Sequence, residues 1–257
     1  MKATLTVLGS GTSMGVPTIG CTCRVCTSSD PRDQRTRPSI MLEYGGRCVL
    51  IDTTPDFRQQ AIREKITRID AILYTHAHAD HILGLDDVRP LSFRREEKIP
   101  LYAHASTAEA MESIFRYIFD ANYKFGGIAR VEMNRISASL ELFGACFEPV
   151  KVIHGEAEIH GFRFGSAAYL TDFSAIPPES MNRLRKLDVL FLDALRHRPH
   201  PTHSTVENSL RLVDELKPGR AFFTHISHDL PHEETNRALP ENVRLAHDGL
   251  KLEFEIA

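Results

Sequence analysis

The stretch Thr75-His76-Ala77-His78-Ala79-Asp80-His81 lies between a short apolar run, Asp70-Ala71-Ile72-Leu73-Tyr74, and the segment Ile82-Leu83-Gly84-Leu85. The run has the length and composition of a buried strand and the following segment opens a helix, so the polar residues are predicted to fill the loop between them. Three imidazoles and a carboxylate therefore crowd one strand end. Histidine is the commonest metal ligand and a carboxylate is its natural bridging or charge-compensating partner. A merely solvated loop would need a separate reason for each of the four groups. Metal binding is the expectation for this strand end.

Further strands end in the same way. Glu148-Pro149-Val150-Lys151-Val152-Ile153-His154 ends on a histidine, Ala167-Ala168-Tyr169-Leu170-Thr171-Asp172 on an aspartate, and Arg220-Ala221-Phe222-Phe223-Thr224-His225 on a histidine. Strand ends on one rim of a sheet bring together residues that are distant in sequence. A hairpin is predicted with Gly45-Gly46 between Ser39–Tyr44 and Arg47–Asp52. Asp52 then fits equally as a partner for a ligand histidine or as plain turn chemistry.

Five cysteines make an odd set, and Cys21-Thr22-Cys23-Arg24-Val25-Cys26 holds three of them. That spacing is poor for a disulfide framework and good for a zinc ion, which wants four soft ligands in a tetrahedron. The fourth ligand must come from far along the chain. His228, three residues after His225, is the candidate, and such an ion would clip the N-terminal loop to the body of the fold. Cys48 and Cys146 fall within apolar patterns and are expected in the core.

The strand Leu187–Asp193 leads into Ala194-Leu195-Arg196-His197-Arg198-Pro199-His200-Pro201-Thr202-His203. Guanidinium forks and imidazoles suit phosphate oxygens, so Arg196, His197 and His200 are candidate substrate-binding residues. A capping box, Ser204 to Glu207, is predicted to open a helix with Val206, Leu210, Val213 and Leu216 on one face. His203, held just before that cap, is the candidate general acid. A second capping box, Ser106 to Glu109, is predicted to open a helix over 106–119. The aromatics of 115–125 are expected to pack, His104 to be structural, and His232 to be exposed.

At 257 residues with a quarter charged and 42% apolar, the chain reads as one ordinary globular domain with a full core. Its net charge of −3 provides no global basic field for nucleic acid. No long apolar segment or cleavable leader pattern is visible, so a cytoplasmic location with no membrane partner is the default expectation.

The His76-x-His78-x-Asp80-His81 spacing resembles the signature of the metallo-β-lactamase superfamily. Together with the cysteine cluster and the His203-Ser204 element, it resembles the phosphodiesterase branch, and most closely the phosphoribosyl 1,2-cyclic phosphate phosphodiesterases of the carbon-phosphorus lyase pathway. The resemblance implies an α/β fold, the four-layer αββα sandwich of two mixed sheets flanked by helices. It implies two divalent ions, Mn²⁺ or Zn²⁺, with His76, His78 and His154 on one, Asp80, His81 and His225 on the other, and Asp172 bridging. A separate structural zinc is also implied, for which Cys21, Cys23, Cys26 and His228 are the ligand set. Phe173, following Asp172, departs from the pattern and is placed to shape the pocket.

The implied reaction opens a small cyclic phosphodiester, such as phosphoribosyl 1,2-cyclic phosphate, by a metal-bridging hydroxide. Asp80 and His203 would be the catalytic residues, the latter as general acid. The expected partner is a small sugar phosphate or cyclic nucleotide, and a homodimer stays open. The alternatives on the same fold are a tRNA 3′-processing-type endonuclease and a thioester hydrolase. The RNA-processing relatives carry a protruding arm rich in glycine and basic residues, of which no counterpart is found here, so nucleic acid is not the expected substrate.

Overall fold

Alternate residues of a strand face opposite ways, and in the computed structural model, which describes residues 1–123 and 126–256, that parity sorts the apolar side chains into three layers. In β3 (Arg47–Ile51), Val49 and Ile51 face a second sheet while Leu50 faces helices. Among the described residues there are two seven-stranded sheets. The first runs β14 (Lys251–Glu255), β1 (Lys2–Gly9), β2 (Ser39–Tyr44), β3, β4 (Ala71–Leu73), β5 (Ile99–Ala103), β6 (Val131–Arg135). The second runs β13 (Val243–Leu245), β12 (Arg220–Thr224), β11 (Val189–Asp193), β10 (Ala167–Leu170), β9 (Ala157–Phe164), β8 (Ala145–His154), β7 (Leu140–Leu142).

Leu5, Val7, Ile40 and Leu42 of one sheet meet Phe147, Phe162, Phe164 and Phe191 of the other in the central layer. Outside the first sheet lie α1 (Phe57–Arg63), α2 (Ala79–Ile82), α3 (Arg89–Ser92), α4 (Ala105–Ile114) and α5 (Arg116–Phe119). They contribute Phe57, Ile82 and Met111 to a layer with Leu50, Ile72 and Leu101. Outside the second lie α6 (Pro178–Met181), α7 (Val206–Leu216) and α8 (His232–Ala238). Val206, Val213 and Leu216 of α7 pack on Leu190, Leu192 and Phe223. This is the expected αββα sandwich of mixed sheets.

Strands β3 to β6 are mutually parallel, as are β10 to β13, so each run delivers its carboxyl ends to one edge. In open α/β sheets that edge is where ligands bind. Three residues just past these ends hold left-handed backbone without being glycine: Asp52 (φ 66°), Asp172 (φ 56°) and His225 (φ 56°). Such conformations cost energy in the chain and persist where a site requires them.

Several local expectations are corrected. Helix α4 starts after His104 without a side-chain cap, because Ser106 is inside the first turn and its hydroxyl meets His104 Nδ1 at 3.2 Å. The cap of α7 is Thr205, whose hydroxyl accepts from Asn208 N at 3.1 Å, while Ser204 turns inward to Ser209. His232 is buried, not exposed, against the segment bearing Arg32 and Asp33. Cys48 is buried, but Cys146 is only half-buried. Within 115–125, Phe115 packs as expected beside Ile118, but Tyr117 and Tyr123 are exposed, because they lie on the outer side of this segment; 124 and 125 lie outside the described residues. No described helix is long and apolar enough to cross a membrane.

Candidate metal centre

The loop after β4 and the short helix α2 present His76, His78, Asp80 and His81 together, because a strand end followed at once by a helix folds six residues over one point. His154 arrives from β8, Asp172 from beyond β10 and His225 from beyond β12. Ligand atoms of His76, His78 and His154 lie within 4.8 Å of one another, and so do those of Asp80, His81, Asp172 and His225. Asp172 connects the two groups. Its carboxylate is 3.3 Å from His81 Nε2, 3.2 Å from His225 Nε2 and 3.9 Å from His76 Nε2. Asp80 Oδ2 is 3.3 Å from His81 Nε2 and 3.6 Å from His225 Nε2.

These donors fit divalent cations. His76 Nε2, His81 Nε2, His225 Nε2 and Asp80 Oδ2 are all buried without a hydrogen-bond partner, although buried polar atoms are normally satisfied. The electrostatics point the same way. Burial would push the Asp172 carboxyl up, but the imidazoles of His225 and His81 outweigh it and hold it well below the usual carboxylate range. Burial opposes a charge on His225, yet Asp172 and Asp80 draw its pKa up to about 9. Two buried carboxylates thus demand positive charge between them, and protons that meet the demand would be displaced by a bound metal. His76, by contrast, is kept well below its ordinary pKa by burial and by neighbouring His81.

Outer contacts fix the inner ones. Asp52 Oδ2 accepts from His81 Nδ1 at 2.8 Å and from the Thr75 hydroxyl at 2.8 Å, while Oδ1 accepts from Thr75 N at 2.9 Å. A protonated Nδ1 leaves Nε2 of His81 facing the cluster. Asp52 is therefore a histidine partner as well as a turn residue. Asp193, which sequence reasoning left without a role, does the same for His203: its Oδ2 lies 2.7 Å from His203 Nδ1. The missed signal was available, since Asp193 ends a strand of the same parallel set as Asp172 and His225. The His203 ring stacks on His225 with centroids 4.5 Å apart, and a ring nitrogen of His203 lies within 4.8 Å of ligand atoms of His154 and Asp172.

The cationic loop divides. His200 stands beside the cluster, its ring 5.0 Å from that of His203. Arg196 donates to the carbonyls of Arg198 and Pro199 in its own loop, and His197 forms an exposed pair with Glu207 of α7 at 2.6 Å. The structure brings His200 to the site; it places His197 over the helix.

Cys21, Cys23, Cys26 and His228 form a separate cluster, with His228 Nδ1 3.3, 3.6 and 3.3 Å from the three sulfurs in turn. The Cys26 N–H, 3.5 Å from Cys23 Sγ, draws that thiol down to about 7, whereas burial pushes the Cys26 thiol up to about 11. Three sulfurs and one imidazole nitrogen suit a closed tetrahedral zinc site.

The family profile of the beta-lactamase superfamily domain matches residues 47–226, which span every ligand-type group of the strand-end cluster. The chain belongs to the metallo-β-lactamase superfamily. Within it, the crystal structure of a diphosphatase of the PhnP family is 65% identical, with a TM-score of 0.95 over 100% of this chain and 98% of that one. This superfamily member is thus PhnP-like. A protein named octanoyltransferase from Porphyromonas gingivalis is 36% identical over 95% of the chain, but the chain spans only 50% of that relative's length. The zinc-bound PqqB structure from Methylobacterium extorquens shares the fold at 21% identity, with a TM-score of 0.81 over 97% of this chain and 99% of that one.

Proposed function

We propose that the chain is a divalent-metal-dependent hydrolase of small phosphoric diesters, with a strained cyclic phosphate such as phosphoribosyl 1,2-cyclic phosphate as its substrate class. The observation that carries this reading is the convergence of seven ligand-type residues, with buried and unpartnered donor atoms, beside the His203–Asp193 pair. In this reading His76, His78 and His154 hold one ion, Asp80, His81 and His225 hold the other, and Asp172 stands between them. Such ions, when bound, lower the pKa of water towards neutrality and offset charge on phosphoryl oxygens.

The chain's own groups supply the remainder. Asp52 keeps His81 oriented, so that its Nε2 needs no reorganisation to ligate. Asp193 accepts the Nδ1 proton of His203 and leaves Nε2 to deliver a proton to a departing ribose oxygen. His200, next to His203, is the rim group best placed for a second phosphate. Phe173 is fully buried, packed in the layer outside the second sheet, so its part in shaping the pocket is indirect.

A second reading, hydrolysis of a diphosphate bond, is supported by the name of the 65% identical relative. Both reactions displace an oxygen from phosphorus, but a phosphate leaving group needs less help from an acid than a ribose hydroxyl does. The deciding experiment compares turnover of bis(p-nitrophenyl) phosphate, phosphoribosyl cyclic phosphate, cyclic nucleotides, a diphosphate diester, an acyl thioester and precursor tRNA by the manganese- or zinc-loaded protein. Preferred opening of the cyclic phosphate is expected. Thioester or RNA cleavage with no small-diester turnover would overturn the proposal.

A further inference from the structure

His154 is held by a main-chain atom of a different loop: the carbonyl oxygen of Thr202 lies 2.8 Å from its Nδ1. A carbonyl can only accept, so this contact places the His154 proton on Nδ1 and leaves Nε2 with its lone pair free to ligate. The same residue anchors its neighbours. The Thr202 hydroxyl is 3.1 Å and its N–H 3.3 Å from His200 Nδ1, and the next residue, His203, is fixed by Asp193. One turn of chain therefore sets a metal-ligand histidine, the general acid and the rim imidazole together.

That turn can come so close only because residue 155 has no side chain. Gly155 adopts φ +64°, and a Cβ there would lie 2.9 Å from Thr202 Cγ2 and 3.8 Å from Thr202 Cβ. Two demands thus fall on Gly155: a left-handed turn between β8 and β9, and clearance for Thr202. They are separable, because only the second involves the threonine methyl group.

We propose that Thr202 and Gly155 form a positioning pair for the His76–His78–His154 metal site, through which the acid-bearing loop fixes the metal-binding tautomer of His154. This rests on the metal assignment of the reading above but not on its substrate.

The test is a double-mutant cycle of Gly155→Ala and Thr202→Ser, read as the affinity of the metal-free protein for Mn²⁺ or Zn²⁺ by calorimetry, with melting temperature recorded alongside. Gly155→Ala is expected to weaken the affinity of one catalytic site by about 10–100-fold, the range typical for loss of an outer contact to a ligand histidine. Adding Thr202→Ser, which removes only Cγ2, should restore most of the affinity but not the stability lost to the strained turn. An unchanged affinity in Gly155→Ala, or a double variant as weak as the single one, would overturn the proposal. Should Gly155→Ala fail to fold, ¹⁵N NMR of the histidines in the wild-type protein decides, with His154→Gln providing the assignment. A His154 proton on Nδ1 before and after metal loading is expected, and one on Nε2 would refute it. No substrate enters these readouts, so failure of the phosphodiester reading would leave them unchanged.

Discussion

The Asp193 carboxylate, on a side chain with no exposure to solvent, accepts a hydrogen bond from Nδ1 of His203 at 2.7 Å. The contact fixes which nitrogen of His203 faces the cluster. His203→Ala should therefore slow hydrolysis of diesters with alkyl leaving groups by about 10²–10⁴-fold, while sparing nitrophenyl esters and metal content. Asp193→Asn should fall between that variant and wild type. Equal losses for both substrate classes in steady-state kinetics would rule out the acid role.

Zinc at the cysteine cluster should be structural. His228→Ala removes one of four ligands and is expected to lower zinc content by about one equivalent per chain and to lower the melting temperature, because a structural zinc contributes folding free energy directly. Elemental analysis with calorimetric melting checks this. Three cysteines that titrate as free thiols in the native wild-type protein would contradict it.

A second fastener holds the same turn. Arg35, buried with its side chain fully covered, donates to the carbonyls of Ser227 (2.9 Å) and Leu230 (2.7 Å), on either side of His228, and pairs with Asp33 at 3.0 Å. Arg35→Met should cost about 3–5 kcal/mol, since it leaves the buried Asp33 carboxylate without its counter-charge and takes a donor from both carbonyls. Arg35→Lys should recover only part, having no fork to span two acceptors. Chemical denaturation provides the measurement; a loss below about 1 kcal/mol would remove Arg35 from this role.

His232 should give stability a pH dependence. Burial, reinforced by Arg32 and Arg35, lowers its pKa from 6.5 to about 4. In the unfolded chain it takes up a proton near 6.5 and in the folded chain only near 4, so the contribution is present above 6.5 and lost as pH falls towards 4. The amount is up to about 3 kcal/mol. His232→Gln should flatten that part of the profile relative to wild type when melting is followed between pH 7.5 and 5. Parallel profiles would show that His232 takes up its proton at the same pH in the folded and unfolded chain.

What the chain discloses before folding follows from how local each determinant is. His76, His78, Asp80 and His81 are legible because one strand–helix junction makes the cluster, and His154, Asp172 and His225 are legible because strand ends share a rim. The two sheets follow from runs such as Val189–Asp193, whose alternate residues face different layers. The burial of His232 was hidden because its cover, Arg32 and Asp33, lies about two hundred residues away in sequence. The left-handed backbone of Asp52, Asp172 and His225 is set by the packing of the rim and leaves no mark in composition. The cap of α7 fell one residue late because Ser204 found an interior partner, Ser209, that periodicity does not reveal.

The central claim is that Asp172 joins two catalytic ions for diester hydrolysis, and the most direct test counts metals and turnover in the same samples of wild type and Asp172→Asn. Asparagine tolerates the φ of 56° at this position, so the substitution removes the charge without forcing the backbone. Wild type should carry about three equivalents of metal per chain, two at the strand-end cluster and one at the cysteines. The variant should lose at least one catalytic equivalent and nearly all bis(p-nitrophenyl) phosphate turnover while keeping the cysteine-bound zinc. A variant that retains the full metal complement and wild-type turnover would contradict the account.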